Sequence, residues 1–284
     1  MPAILGLGDN TIDTYVSSGE QFPGGNAVNV AVLARRLGAR AAYLGCWGDD
    51  EGGAILRAAL AAEGVDMSRV REVAGGETAR ARIAHEDGDR RFLGARPGVR
   101  GRYALDATDL AFAAAQDLVH TSCNSDLDGE IARVAGAARI LSYDYSEKWT
   151  EARLAATLGH VDIAFLSAPG RDDAACAALL AHVAGAPRAA GRPGPPRIAV
   201  ATRGAAGAMA RAGEAACAGA AAPARVVDTL GAGDGFIAGF LVAHLGGAAL
   251  PDALAAAARA AAEVCGWRGA FGHSRPWRED AGGP

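Results

Sequence analysis

Asp228-Thr229-Leu230-Gly231-Ala232-Gly233-Asp234-Gly235-Phe236 runs directly into an apolar stretch from Ile237 to Leu245. Glycines just before a helix let the backbone come close to a ligand. The unpaired N–H groups of the first turn then point at that ligand with the positive end of the helix dipole behind them. Gly231, Ala232 and Gly233 are expected to offer such donors to a transferring phosphoryl group. Asp234 lies in the same turn and can reach a hydroxyl on that group's far side, so one helix entry would combine charge neutralisation with a base. The plainer alternative is a glycine-rich helix start in which Asp234 only favours the dipole, worth about 0.5 kcal/mol.

A second segment, Gly24-Gly25-Asn26-Ala27-Val28-Asn29, opens a helix predicted over Asn26 to Leu37, with Val28, Ala31, Val32 and Leu37 at helical spacing and Gly38 as its stop. Asn26 and Asn29 are three apart, which puts both amides on one side of the first turn, where each can donate to and accept from a polyol. Paired Gly24 and Gly25 let a sugar ring lie against the backbone. Asp9 and Asp13 flank the end of the first predicted strand and suit vicinal hydroxyls; the competing readings are Asn26 as an N-cap and Asp9 as a turn residue. A third segment, Ile198 to Thr202 followed by Gly204-Ala205-Ala206-Gly207, is an apolar strand with a glycine turn that can run beside a nucleotide.

Around these segments the chain has a β-α rhythm. A strand over Ala3 to Gly8, a strand over Ala41 to Cys46, a helix over Glu51 to Glu63, and strand-like runs at Leu118–Ser122, Ile140–Asp144, Val161–Ser167 and Ile198–Thr202 predict an α/β fold. Its centre is a mostly parallel sheet flanked by helices. Thr78 to Leu93 alternates instead, with Asp87-Gly88 as a turn signal, so a small β-strand lid is expected outside that sheet. The division is a single domain over 1–275, with lid strands from about 12–22 and 76–95, and a loose C-terminal tail over 276–284. Gly185 to Pro196 reads as an exposed loop, and Phe236 to Leu250 as one buried helix too short to span a bilayer.

At 284 residues, half of them hydrophobic, the chain can bury one substantial core. A net charge of −4 with scattered Lys and Arg offers no face for nucleic acid. The start shows no basic leader before an apolar run, so no membrane association and a cytoplasmic location are expected. Five separated cysteines suit buried thiols, not disulfides or a metal. There is no Gly-x-x-x-x-Gly-Lys-Ser/Thr loop and no protein-kinase motif set, and Gly6-x-Gly8 lacks the third glycine of a dinucleotide fingerprint.

From about Leu5 to Trp267 these residues resemble the ribokinase-like (PfkB) family of carbohydrate kinases. The amino-terminal signature is similar to Gly24-Gly25-Asn26-Ala27-Val28-Asn29 and the carboxyl-terminal one to Asp228-Thr229-x-Gly231-Ala232-Gly233-Asp234. The resemblance implies a ribokinase-like fold and an ATP- and Mg2+-dependent kinase in which Asp234 deprotonates the acceptor. It implies that Asp9, Asp13, Gly24, Gly25, Asn26 and Asn29 hold the sugar, and that Thr202, Gly204 and Gly207 lie along the nucleotide. Asp228 matches a position that in relatives helps bind a monovalent cation such as K+, with a strand-end cap as the other reading. Lid strands of this kind can pair between subunits, so a homodimer through the lid is an open alternative to a monomer.

Within the family the likeness runs to the fructosamine kinases of the fructoselysine 6-kinase branch. It is carried by Gly8-Asp9-Asn10-x-x-Asp13-x-Tyr15, Asp144-Tyr145-Ser146-Glu147-Lys148-Trp149 and Ser167-Ala168-Pro169. Lys148 stands where many relatives have arginine and is expected to meet the substrate or the moving phosphate as a point charge. Where relatives carry Asn-x-x-Glu to position magnesium, this chain has Ser167-Ala168-Pro169-Gly170, with Asp172 and Asp173 nearby but out of register. The alternatives are a kinase of the same family for ribose, fructose, 2-keto-3-deoxygluconate or a nucleoside, and a non-catalytic sugar or nucleotide sensor on the same fold.

Overall fold

The computed structural model describes residues 1–86, 89–100, 104–192 and 194–278. In chain order come β1 (Ala3–Gly8), β2 (Thr11–Tyr15), β3 (Glu20–Gly24), α1 (Asn26–Arg36), β4 (Arg40–Gly48), α2 (Glu51–Ala62) and β5 (Arg71–Val73). Next are β6 (Arg80–Glu86), β7 (Asp89–Arg96), α3 (Ala107–Ala114), β8 (Leu118–Ser122), α4 (Ile131–Ala137), β9 (Leu141–Asp144) and α5 (Glu151–Thr157). The chain closes with β10 (Ile163–Ser167), α6 (Asp173–Gly185), β11 (Ile198–Thr202), β12 (Ala208–Ala212), β13 (Ala215–Gly219), α7 (Ala232–Leu245), α8 (Leu250–Val264) and β14 (Arg275–Pro276).

Nine strands form the main sheet in the order β13-β12-β11-β10-β9-β8-β1-β4-β5. The ladders from β11 through β5 are parallel, and the β11/β12 and β12/β13 ladders are antiparallel, so β12 is the reversed strand. Strands buried on both faces need apolar side chains on both, and β1 supplies them: Ile4 joins the core under α1, α2, α7 and α8, while Leu5 and Leu7 join the core on the opposite face. From β1 the chain winds first to β4 and β5 on one side and then to β8 and beyond on the other. This reversal of strand order opens a crevice at the carboxyl ends of the strands, where an open α/β sheet binds its ligand.

The second sheet has the order β14-β3-β2-β6-β7 and corresponds to the expected lid. Its hairpin β6/β7 pairs antiparallel, while the Asp87-Gly88 turn signal lies outside the described residues. Tyr15, Phe22 and Ile83 form a small buried cluster against which Leu230 packs, so the lid rests on the loop leading into α7.

Two expectations change. Phe236 to Leu250 is not one helix: α7 stops at Leu245, Gly246-Gly247 turns the chain with φ 86° at Gly247, and α8 starts afresh at Leu250 with Pro251 in its first turn. Nor is the start of the tail loose, because Arg275–Pro276 pairs with β3 and the Trp277 N–H donates to the Gly19 carbonyl at 2.7 Å. A strand edge offers unpaired backbone groups, and this segment satisfies them. Residues 279–284 lie outside the described set.

Candidate active site

Because β1, β8, β9, β10 and β11 are parallel, Gly8, Ser122, Asp144, Ser167 and Thr202 end along one edge of the sheet. Asp9 follows β1 at this edge and is buried. Its carboxylate accepts from the N–H groups of Asn26 (2.7 Å) and Ala27 (3.2 Å) and from the hydroxyls of Ser125 (2.9 Å) and Ser122 (3.1 Å). Expected as a partner for sugar hydroxyls, Asp9 is engaged four times by the chain itself. It satisfies the orphan donors at the start of α1, where a negative charge also complements the dipole. Asn26, read alternatively as an N-cap, is already the first residue of α1; Gly25 holds the cap position with φ 105° and no side-chain bond.

Anchored this way, α1 presents Asn26 and Asn29 to the first turn of α7. Asn26 Nδ2 donates to Asp234 Oδ1 at 2.7 Å, and Asn29 Nδ2 donates to Asp234 Oδ2 at 2.6 Å. The same Asn26 nitrogen donates to Asp144 Oδ2 at 3.0 Å, so one amide links two carboxylates. Asn29 Oδ1 is buried and has no partner among the described residues, which leaves an acceptor available for a hydroxyl donor.

Burial, with the charges of Asp144 and Asp9, pushes the Asp234 carboxyl up to about 7 against the opposing donors Asn29 and Asn26. Burial and Asp9 likewise push Asp144 up to about 6, partly offset by the Ser146 N–H. Both lie close to neutrality, where a carboxylate is ionised enough to take a proton and basic enough to hold it. Asp144, His120, Ser122, Ser125 and Ser142 complete the cluster and were not among the expected site residues. The available signal was polar residues at the carboxyl ends of otherwise apolar strands, as in Leu118-Val119-His120-Thr121-Ser122.

The helix entry itself differs in one donor. Gly231 caps α7 in the left-handed conformation (φ 79°), and a Cβ there would sit 2.5 Å from the Ala270 Cβ, so glycine is required on both counts. This turn directs the Ala232 N–H to the Thr229 carbonyl at 3.2 Å, which removes it from the expected anion hole. Among the described residues no acceptor takes the N–H of Gly231, Gly233 or Asp234, and the space beside Gly233 is open for 4 Å. Such a turn can neutralise negative charge next to the Asp234 carboxylate.

The other expected residues make contacts of their own. Asp13 is buried in β2 beside Gly24, where a Cβ would fall 2.3 Å from its Oδ2. Lys148 is exposed and donates to Asn124 Oδ1 at 2.9 Å. Thr202, Gly204 and Gly207 occupy the end of β11 and the turn after it, three strands from β8, with the Arg203 N–H closing on the Gly207 carbonyl at 2.8 Å. Asp228 accepts from the N–H groups of Leu230 (3.0 Å) and Gly269 (3.0 Å) and from the Tyr15 hydroxyl, the bonding expected of a loop-organising carboxylate more than of a cation ligand.

For magnesium the fit is poor. Asp172 caps α6 by accepting from the Ala175 N–H, Asp173 pairs with Arg203, and among the described residues no group of three His, Cys, Asp or Glu could hold a metal ion. A divalent ion would therefore be carried mainly by triphosphate oxygens. A cavity of about 770 Å3 does open at the opposite edge of the sheet, near Ile140, Asp162 and Ile198, apart from this cluster. No helix among the described residues is long and apolar enough to cross a membrane.

The family model described as "pfkB family carbohydrate kinase" matches residues 6–277. A fructosamine kinase of Bacillus subtilis is 37% identical over 99% of this chain and 96% of its own length. Fructoselysine 6-kinase of Escherichia coli is 35% identical over 95% of this chain and all of its own. Arabidopsis thaliana ribokinase, solved with ribose and ATP, superposes with a TM-score of 0.76 at 22% identity, covering 95% of this chain and 94% of that one. Anopheles gambiae adenosine kinase does so with a TM-score of 0.79 at 18% identity, over 94% and 96%.

Proposed function

We propose, from the premise that this chain belongs to the pfkB family of carbohydrate kinases, that it transfers the terminal phosphoryl group of ATP to a hydroxyl of a fructosamine-type sugar such as fructoselysine. The acceptor hydroxyl donates to Asp234, which takes its proton as the oxygen attacks phosphorus in line. The N–H groups of Gly231, Gly233 and Asp234 neutralise charge building on the transferring oxygens. Asn29 Oδ1 accepts from a second sugar hydroxyl, and Asp13, beside Gly24, holds a third under the lid. Thr202, Gly204 and Gly207 flank the nucleotide, and Lys148 offers a point charge at the rim. Magnesium, when bound with the triphosphate, supplies neutralisation of its charge. The same reading puts the reaction in the cytoplasm, where ATP is available.

The observation that carries this reading is Asp234 held by both oxygens between Asn26 and Asn29, directly beside open amides. Full-length similarity to relatives named for fructosamines supports the choice of acceptor. ADP release measured across a sugar panel tests it. Fructoselysine and other fructosamines are expected to exceed fructose, ribose and nucleosides by roughly tenfold or more in kcat/KM. Turnover with one of the latter and none with any fructosamine would overturn the acceptor and leave the chemistry at Asp234 standing.

A further inference from the structure

We infer that His120, together with Ser142, is a positioning residue for the phosphoryl transfer: it locks the Asn26 amide with its NH2 group facing Asp234 and Asp144, and so keeps Asp234 ionised and aimed. The inference rests on the reading of Asp234 as the base. His120 and Ser142 are direct partners on adjacent parallel strands, β8 and β9, and both are fully buried. His120 Nε2 is 2.9 Å from Asn26 Oδ1, and its Nδ1 is 2.5 Å from Ser142 Oγ.

The direction of each bond follows from chemistry. Both Asn26 contacts to Asp234 and Asp144 come from its nitrogen, so its oxygen faces His120 and can only accept. Nε2 must therefore carry the hydrogen. Burial holds the His120 imidazole well below its usual range, at about 3, so the ring is neutral and Nδ1 accepts from the Ser142 hydroxyl. The chain Ser142 to His120 to Asn26 to carboxylate thus runs donor to acceptor throughout, with one assignment at each step. Without the Nε2 hydrogen, the amide is held from its nitrogen side alone, by the two carboxylates, and its oxygen loses the partner that fixes the angle at which the nitrogen meets Asp234. The titratable groups facing Asp234 are Asp144 at the end of β9 and Asp9 after β1, with His120 behind Asn26. Both carboxylates oppose ionisation of Asp234, and the two asparagine donors offset them.

His120→Phe, which keeps the ring and removes the donor, tests this. The acid limb of the kcat–pH profile is expected to move up by about one pH unit, so that activity at pH 7 falls about fivefold. KM for ATP should stay unchanged, and His120→Gln, whose amide nitrogen can reach the Nε2 position, should restore the wild-type limb. A folded His120→Phe enzyme with an unshifted limb overturns the inference. Should that variant not fold, nitrogen NMR of the wild-type ring decides: a neutral Nε2–H tautomer down to pH 5 is expected, and an Nδ1–H tautomer or an imidazolium at pH 6 overturns it. Asp234→Asn is run in parallel. If it retains turnover, the base assignment falls and the inference with it; if it is inactive while His120→Phe keeps the wild-type limb, only the inference falls.

Discussion

Asp234→Asn is expected to lower kcat by about 10³-fold or more, the scale of a lost general base, while KM for ATP changes by no more than about twofold. The substitution keeps the shape of the side chain and leaves the unpaired amides of Gly231 and Gly233 in place. What it removes is the carboxylate proposed to accept the hydroxyl proton. It also brings an amide nitrogen to a position where Asn26 and Asn29 already present nitrogens, so the two clasping bonds cannot both survive. Steady-state ADP release with saturating sugar, together with nucleotide binding by titration, reads both quantities. A sensor on this fold would bind ligands equally well in both forms and show no turnover in either. A variant that keeps wild-type kcat would remove residue 234 from the chemistry.

The next largest effect is expected at Asp228, and it falls on stability as well as rate. Its buried carboxylate ties the lid through the Tyr15 hydroxyl, the turn into α7 through the Leu230 N–H, and the loop after α8 through the Gly269 N–H. Asp228→Ala leaves these donors without their acceptor, and each buried unsatisfied group costs about 1–3 kcal/mol. A loss on the order of 3 kcal/mol is expected, which for a chain of this size lowers Tm by roughly 6–12 °C. Turnover should fall too, because Leu230 is one residue from the glycine that starts α7. If Asp228 acted mainly as a monovalent-cation ligand, the defect would appear only in potassium buffers. Equal losses of Tm in potassium and in tetramethylammonium chloride are expected from the bonding seen here; a loss confined to potassium would restore the cation assignment.

The main sheet was legible because its strands are short apolar runs ended by glycine or by polar residues, and β8, β9, β10 and β11 fall within the runs read from the sequence, to within two residues at either end. The two glycine-rich segments were legible as helix entries, and α1 and α7 do start there, at Asn26 and Ala232. Three features were not. The break between α7 and α8 carries its own signal in Gly246-Gly247 and Pro251, but it sits in an apolar, Ala-rich stretch that reads as one buried helix. The small residues there have a spatial role, since a Cβ on Gly239 would lie 2.8 Å from the Ala260 Cβ and 2.9 Å from the Ala257 Cα, so the two helices approach closely. The use of Asp9 as a helix anchor depends on Ser122 and Ser125, more than 110 residues away, which no local pattern connects. His120 looked like part of a strand and no more, because its partners Asn26 and Ser142 meet it only once the parallel strands and α1 are assembled.

Single-turnover phosphoryl transfer, quenched on the millisecond scale with sugar and ATP saturating, isolates the chemical step from product release. Followed from pH 5 to 9, the rate should climb about tenfold per pH unit below neutrality and level off above about 7, where the Asp234 carboxyl is ionised. The sign follows from the base being active only without its proton, so acid inactivates and alkali does not. A rate that stays flat between pH 5 and 7 would contradict the account, because proton removal by Asp234 could not then be part of the transfer.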